Sequence, residues 1–464
     1  MSTRARHLRF ATPLLVGAVG LFVACSSSTH ADPPASTAPV VPSPPPDGST
    51  PDDLGFHVAG AKAYYLVPNA LVAGDAEIVL DVTTPPGTTS VDMFVDGAYV
   101  ARAPVAAGHV AMHAPLASLK PDTHEVLLSV SAKSSAFARV PFVLSHPYYV
   151  FVSNDWDAPD NDPTNKVWTM EQELHDRHPE LKLTHFVGPY TFTDPTVTEA
   201  RRMEIVAWLK DKQAKYGDEV GLHIHPFCTF VTAAGVTCRT VPNGGAITSL
   251  ADMQGDSTGY KVLIAAYTYD EISSMLAKVD SLFTQYGLAK PTSFRAGGWE
   301  ADTHVLKALS DHGYLTDASG CNWARIQQYW KGYLIGDWNK EHWAPIVDTS
   351  QPYYPSQADL LSDAAPRFKT LEVPDNGILV DYITGDEMVR VFDQNWTAGT
   401  ALAGPKVVAI GYHPISLVRA GNGNWLGYLH TAMDHADQYL ASTGQGPVVY
   451  VRGSDIPKGL PIAP

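Results

Sequence analysis

Apolar and polar positions follow two different rhythms along this chain. Between residues 55 and 146 they alternate in short bursts, AEIVLDV (76–82), SVDMFVDGAYV (90–100), HVAMHAP (109–115) and HEVLLSVSA (124–132). A period of two puts every second side chain on one face, the pattern of half-buried strands. Turn residues separate the bursts: Pro85-Pro86-Gly87, Asp96-Gly97 and Pro121-Asp122. Short strands at this spacing predict a small antiparallel sandwich, with Asp96-Gly97 as its tight hairpin. From Pro147 the rhythm changes. Nearly continuous apolar runs appear at YYVFVSND (148–155), KLTHFVG (182–188), DEVGLHIHP (218–226) and TSFRAGG (292–298). YLTDAS (314–319), TLEVPD (370–375), KVVAIGYHP (406–414) and VVYVRGSD (448–455) continue the series. Between them, helices are predicted over 195–217, from Thr268 (a capping box with Glu271), over 302–313 and over 424–440. Strand–helix alternation of this extent predicts an α/β fold, either a parallel barrel or a doubly wound sheet.

The first 24 residues carry Arg4, Arg6 and Arg9, then a short apolar stretch ending in LFVAC and three serines. That stretch is too short to span a bilayer. It resembles a bacterial lipoprotein signal with Cys25 as the lipidated first residue, and Ser26 after it resembles the pattern sorted to the outer membrane. Residues 25–54 are mostly Ser, Pro, Ala and Thr, a composition that favours an extended tether over a packed core. The expected division is therefore a signal peptide (1–24), a lipidated linker (25–54), a sandwich (55–146) and an α/β domain (147–464). The sandwich is similar to the immunoglobulin-like and fibronectin-type modules attached to secreted enzymes. Location in the cell envelope is expected, with membrane contact through the lipid anchor alone.

Composition changes this picture in two ways. A net charge of −16 with no basic stripe argues against nucleic acids and other polyanions as partners. Ten Trp and 21 Tyr supply aromatics that either fill cores or stack on sugar rings. Of the four cysteines, Cys228 and Cys238 bracket a short loop and are expected to pair in an oxidising compartment, which leaves Cys321 single and buried.

In parallel α/β folds, functional groups gather where the strands end. Here those ends read Asn154-Asp155-Trp156-Asp157, His223-x-His225, Arg295, Asp317 and His413, and the long loop 227–262 suits a cover over a cleft. Residues two apart on a strand share a face, so His223 and His225 point together. With a neighbouring aspartate they supply the three ligands of a catalytic zinc site, whose fourth position stays open. A calcium site from Asp155, Asp157, Asp160 and Asp162 is the hard-cation alternative, but it leaves both histidines without a task.

The order Asp, His-His, Arg, Asp, His resembles the polysaccharide deacetylases, carbohydrate esterases with a NodB-homology domain, over about 148–455. VSNDWD stands where that family has paired aspartates, and LTHFVG where it has its second-strand signature. GLHIHP stands for its metal-histidine motif, FRAGG for its arginine motif, and LTDAS and GYHP for its late aspartate and histidine motifs. The spacing differs: Asp155 and Asp157 flank Trp156 instead of adjoining, the histidines lie two apart instead of four, and FRAGG lacks a proline. The resemblance implies a distorted (β/α) barrel, a divalent metal that is usually zinc, and removal of N-acetyl or sometimes O-acetyl groups from sugars.

Carried onto this chain, the resemblance makes Asp157, His223 and His225 the metal ligands. Asp155 is the base toward water, and Arg295 keeps it ionised. His413 protonates the departing amine while Asp317 raises its pKa, and backbone N–H groups after His225 receive the oxyanion. Trp156, Trp299 and Trp323 stack on the substrate, an acetylated polysaccharide or amino-sugar polymer. Two other readings stay open, an inactive glycan-binding lipoprotein on the same barrel and a metal-dependent hydrolase of a non-sugar amide.

Overall fold

The computed structural model describes residues 55–130, 137–160, 164–240, 257–418 and 424–464. The expected signal peptide and linker, with Cys25, lie outside the described residues, as does Asp162.

Eight strands form first: β1 (His57–Ala59), β2 (Tyr64–Leu66), β3 (Glu77–Thr83), β4 (Ser90–Val95), β5 (Ala98–Pro104), β6 (His109–Pro115), β7 (Asp122–Val130) and β8 (Phe137–Ser145). They make a three-stranded sheet, β1-β3-β6, and a five-stranded sheet, β2-β8-β7-β4-β5. Period-two alternation sends Ile78, Leu80 and Val82 of β3 and Val110, Met112 and Ala114 of β6 inward. There they share one core with Val91, Met93, Val126 and Leu128 of the other sheet. Asp96 and Gly97 both take positive φ, as the hairpin between β4 and β5 requires. One pairing departs from the expected antiparallel pattern. β2 runs parallel to β8, because the chain loops back after β2 before it enters β3 on the other sheet.

The remaining strands are β9 (Tyr148–Asp155), β10 (Leu183–Val187), β11 (Glu219–Ile224), β12 (Ser293–Ala296), β13 (Thr316–Asp317), β14 (Leu371–Glu372), β15 (Lys406–Tyr412) and β16 (Val448–Tyr450). All run parallel in the order β14-β13-β12-β11-β10-β9-β15, with β16 beside the start of β9. Every residue of β9, β10, β11 and β12 is buried, as expected of parallel strands covered on both faces. The result is a half-barrel of parallel strands with helices, consistent with a (β/α) barrel. Residues 377–380 extend it along the free edge of β15: Gly377 N–H donates to the Ala409 carbonyl, Gly411 N–H to Ile378, and Val380 N–H to Gly411.

Local signals explain the main helices. Glu199–Tyr216 begins at the Thr198 cap and stops at Gly217, so residues 195–197 lie outside the helix predicted there. Tyr269–Gln285 starts from a capping box of Thr268 and Glu271. Asp302 caps Thr303–Asp311, and Asn424 caps Trp425–Asp437. The parallel register matters most for function. It aligns Asp155 with Phe186 and His223 with Arg295, bringing the polar strand ends to one rim.

Candidate metal centre and active site

Asp157 leaves the end of β9 and turns across the rim toward β11. Its Oδ1 lies 3.1 Å from His223 Nε2 and 3.4 Å from His225 Nε2. Its Oδ2 lies 3.3 Å from His413 Nε2, at the end of β15, and accepts a 3.3 Å hydrogen bond from the Tyr260 hydroxyl. Burial alone would raise the Asp157 pKa. The positive His413 and the hydrogen bonds from His223 and His225 outweigh burial and hold it well below the usual carboxylate range.

His223 and His225 are oriented by backbone carbonyls. His223 Nδ1 faces the Arg295 carbonyl at 3.0 Å, and His225 Nδ1 faces the Tyr260 carbonyl at 3.0 Å. With Nδ1 facing a carbonyl, each imidazole turns its Nε2 toward the same oxygen of Asp157. One donor atom from each of Asp157, His223 and His225 lies within 4.8 Å of the others, so the set fits a divalent cation. Gly297 of FRAGG makes room for the His225 ring, since a Cβ there would come within 2.5 Å of its Nδ1.

Asp155 sits one step deeper, almost fully buried. Its Oδ1 accepts a 3.0 Å hydrogen bond from Nη1 of Arg295, which is itself fully buried. Arg295 Nε donates to the Ala318 carbonyl, and its Nη2 approaches Asp375 Oδ2 at 3.6 Å. Burial lifts the Asp375 carboxyl to about 6 against the pull of Arg295.

Asp317 does not stand beside His413. Its Oδ1 accepts a 2.5 Å hydrogen bond from Ser319 Oγ, and its neighbour is the Glu372 carboxyl. Burial pushes Asp317 up to about 7, and burial together with Asp317 pushes Glu372 well above the usual carboxylate range, so this pair keeps a proton. Because Ser319 Oγ also accepts from Ala296 N–H, the cluster braces β12 against β13. The carboxylate that serves His413 is Asp381, whose Oδ2 lies 3.0 Å from His413 Nδ1 and whose Oδ1 accepts from the Ser416 hydroxyl. Burial pulls the His413 pKa down, but Asp157 and Asp381 on its two sides push it up to about 10.

Three further expectations change. The backbone N–H groups just after His225 are already used, Phe227 donating to the His225 carbonyl and Cys228 to the Thr258 carbonyl. They are not oxyanion donors. Asp160 pairs with Arg201 at 2.8 Å, which argues against its use in the calcium alternative, and Asp162 lies outside the described residues. Trp323 is packed into the barrel core at the start of its helix; Trp330, at the other end of that helix, reaches the cleft instead.

The cleft has two arms. The inner one, about 150 Å³, holds the Asp157–His223–His225 cluster and His413 between Trp299, Trp330 and Tyr382. The outer one, about 320 Å³, runs past Trp156, Trp168, Pro159 and Ile415. Trp156 donates its indole N–H to Asn154 Oδ1, and Trp299 donates to Asp375 Oδ2. Tyr260 lines both arms. A disulfide joins Cys228 and Cys238, and Cys321 is free and buried. Asp381 and Tyr260 were not among the predicted site residues. Asp381 has one visible signal, the apolar run Ile378-Leu379-Val380 that ends in it like the other strand ends.

No protein-family model matches this sequence, and no curated protein matches it. Solved structures do. The chain is similar to a family 4 acetyl xylan esterase from Clostridium thermocellum in complex with a cobalt ion, at 14% identity and TM-score 0.32 over 68% of this chain and 94% of that one. It is similar to a family 4 carbohydrate esterase from Streptomyces lividans in complex with acetate, at 12% identity and TM-score 0.32 over 68% and 98%. A 4-alpha-glucanotransferase from Thermococcus litoralis is matched as well, at 10% identity and TM-score 0.37 over 67% and 40%.

Proposed function

We propose that this protein is a divalent-metal-dependent deacetylase that hydrolyses acetyl groups, chiefly N-acetyl, from an acetylated polysaccharide or amino-sugar polymer. One observation carries the reading: two imidazole Nε2 atoms, each with its Nδ1 facing a carbonyl, converge on one oxygen of Asp157. Two nitrogens and one carboxylate oxygen form a donor set suited to zinc. When bound, the cation supplies Lewis acidity, polarising a carbonyl and acidifying water.

The chain's own residues divide the remaining work. Asp155, oriented by Arg295, takes a proton from the attacking water as the new C–O bond forms. Arg295 holds that carboxylate in place through a buried charge-assisted bond. His413 enters the step protonated and gives the proton on Nε2 to the amine nitrogen as the C–N bond breaks. Asp381 on Nδ1 keeps the imidazolium charged and correctly turned. Trp299, Trp330 and Tyr382 on one side and Trp156 and Trp168 on the other offer aromatic walls for sugar rings. On the same reading Cys25 is the lipidated residue that tethers the enzyme in the cell envelope.

The test is acetate release from acetylated amino-sugar oligomers by the wild type and by His413→Ala. Loss of proton donation is expected to cost 10²–10⁴-fold in kcat. Wild-type protein that binds such oligomers and releases no acetate would leave a glycan-binding protein and end the enzymatic reading.

A further inference from the structure

The disulfide loop beside the cleft has more to do than close a turn. Cys228 opens the short helix Cys228–Ala233, and its N–H donates to the Thr258 carbonyl at 2.7 Å. Gly259 comes next and lies against the disulfide itself. A Cβ there would sit 2.5 Å from the Pro226 carbonyl and 3.2 Å from Cys238 Sγ, so no side chain can be accommodated. The residue after Cys238 ties the loop to the body, Arg239 pairing with Glu271 at 2.9 Å and donating its N–H to the Tyr267 hydroxyl. The position of Tyr260 is thereby set from two directions.

Tyr260 uses that position twice. Its carbonyl accepts the 3.0 Å hydrogen bond from His225 Nδ1, and its ring packs against the His225 ring at 4.3 Å. Its hydroxyl donates to Asp157 Oδ2, leaving Oδ1 turned toward the two imidazoles. Two of the three donor groups are thus oriented by one residue from outside the barrel strands. Groups that hold ligands in this way govern cation affinity nearly as strongly as the ligands themselves.

We propose that Tyr260, seated by the Cys228–Cys238 disulfide, is a positioning residue of the cation site, setting His225 through its carbonyl and Asp157 through its hydroxyl. The proposal rests on the cation reading of Asp157, His223 and His225 and is independent of the substrate.

The experiment is a competition titration of metal-free protein with zinc against a chromophoric chelator, for wild type, Tyr260→Phe, Cys228→Ser/Cys238→Ser and the triple variant. Tyr260→Phe is expected to weaken zinc binding 10- to 100-fold while the melting temperature of the metal-free protein stays at the wild-type value. The double cysteine variant is expected to weaken binding at least as much and to alter the cobalt absorption spectrum, because the carbonyl on His225 moves too. Adding Tyr260→Phe to it should then cost far less than it does in the wild type. Zinc affinity of Tyr260→Phe within twofold of wild type overturns the proposal, as do fully multiplicative effects. A loss of affinity matched by lower metal-free stability makes Tyr260 merely structural and overturns it as well. If the wild type releases no acetate yet shows this pattern, the deacetylase reading falls and the inference stands. If acetate release is normal and Tyr260→Phe binds zinc as the wild type does, the inference falls alone.

Discussion

Replacing Asp381 by Asn keeps the shape beside His413 and removes one negative charge. In the metal-free protein the His413 pKa is raised from 6.5 to about 10. Two carboxylates share that effect against burial, Asp157 at 3.3 Å from Nε2 and Asp381 at 3.0 Å from Nδ1. An opposite charge at such range is worth roughly 1–3 pKa units. Taking the middle of that range, the variant should bring His413 down by about 2 units, near 3 kcal/mol of lost preference for the imidazolium. The sign follows from charge: losing an anion disfavours the cation, so the proton leaves at lower pH. Titration of histidine-labelled, metal-free protein by NMR reads the shift directly, and the alkaline limb of the pH–rate profile should move down with it. Asp317→Asn is the control. Asp317 is hydrogen-bonded to Ser319 and neighbours Glu372, with no contact to His413, so His413 should titrate as in the wild type. A change below half a unit in Asp381→Asn, or a larger one in Asp317→Asn, would refute the assignment.

Two other outcomes concern stability. Burial raises the Glu171 carboxyl from 4.5 to about 7, although Tyr412 donates to it; Asn154 also donates to its Oε1. A raised acid stabilises the fold fully below pH 4.5 and loses that contribution as pH rises through 7. Wild-type stability should therefore fall by about 3 kcal/mol between pH 5 and 9 relative to Glu171→Gln in urea melts, and parallel curves would rule this out. The Cys228–Cys238 bridge closes a sequence separation of 10, so the double serine variant should be less stable by about 3 kcal/mol, read by thermal melting against the oxidised wild type. A difference under half a kcal/mol would show that the loop is held by its other contacts.

The parts of the site that could be read in the chain are those on long, regular strands. In β11 the burial of every residue and the two-residue spacing of His223 and His225 leave one arrangement, both rings on the same side of the rim. Asp155 and Arg295 end strands of the same kind and face each other across the barrel. Where the element is short, the rule fails. β13 is only Thr316–Asp317, too brief for alternation to say which way Asp317 points, and Asp317 turned to Ser319 and Glu372. Asp381 follows a short edge segment held to β15 by three backbone hydrogen bonds, too brief for alternation to say which way its side chain points. Tyr260 reaches the site from a loop whose position depends on Gly259 meeting Pro226 and Cys238, a contact distant in the chain. The aromatic walls were ambiguous for another reason. Trp323 and Trp330 share one helix, and composition alone does not tell which end of it reaches the cleft.

The most direct test of the account is the stoichiometry of zinc bound by metal-free protein, measured by calorimetry for the wild type and for Asp157→Ala, His223→Ala and His225→Ala. One ion per chain in the wild type, and none at the same concentrations in each variant, is the result expected from three donors meeting at one point. A wild type that takes up no ion, or variants that bind it undiminished, would contradict the claim at its root.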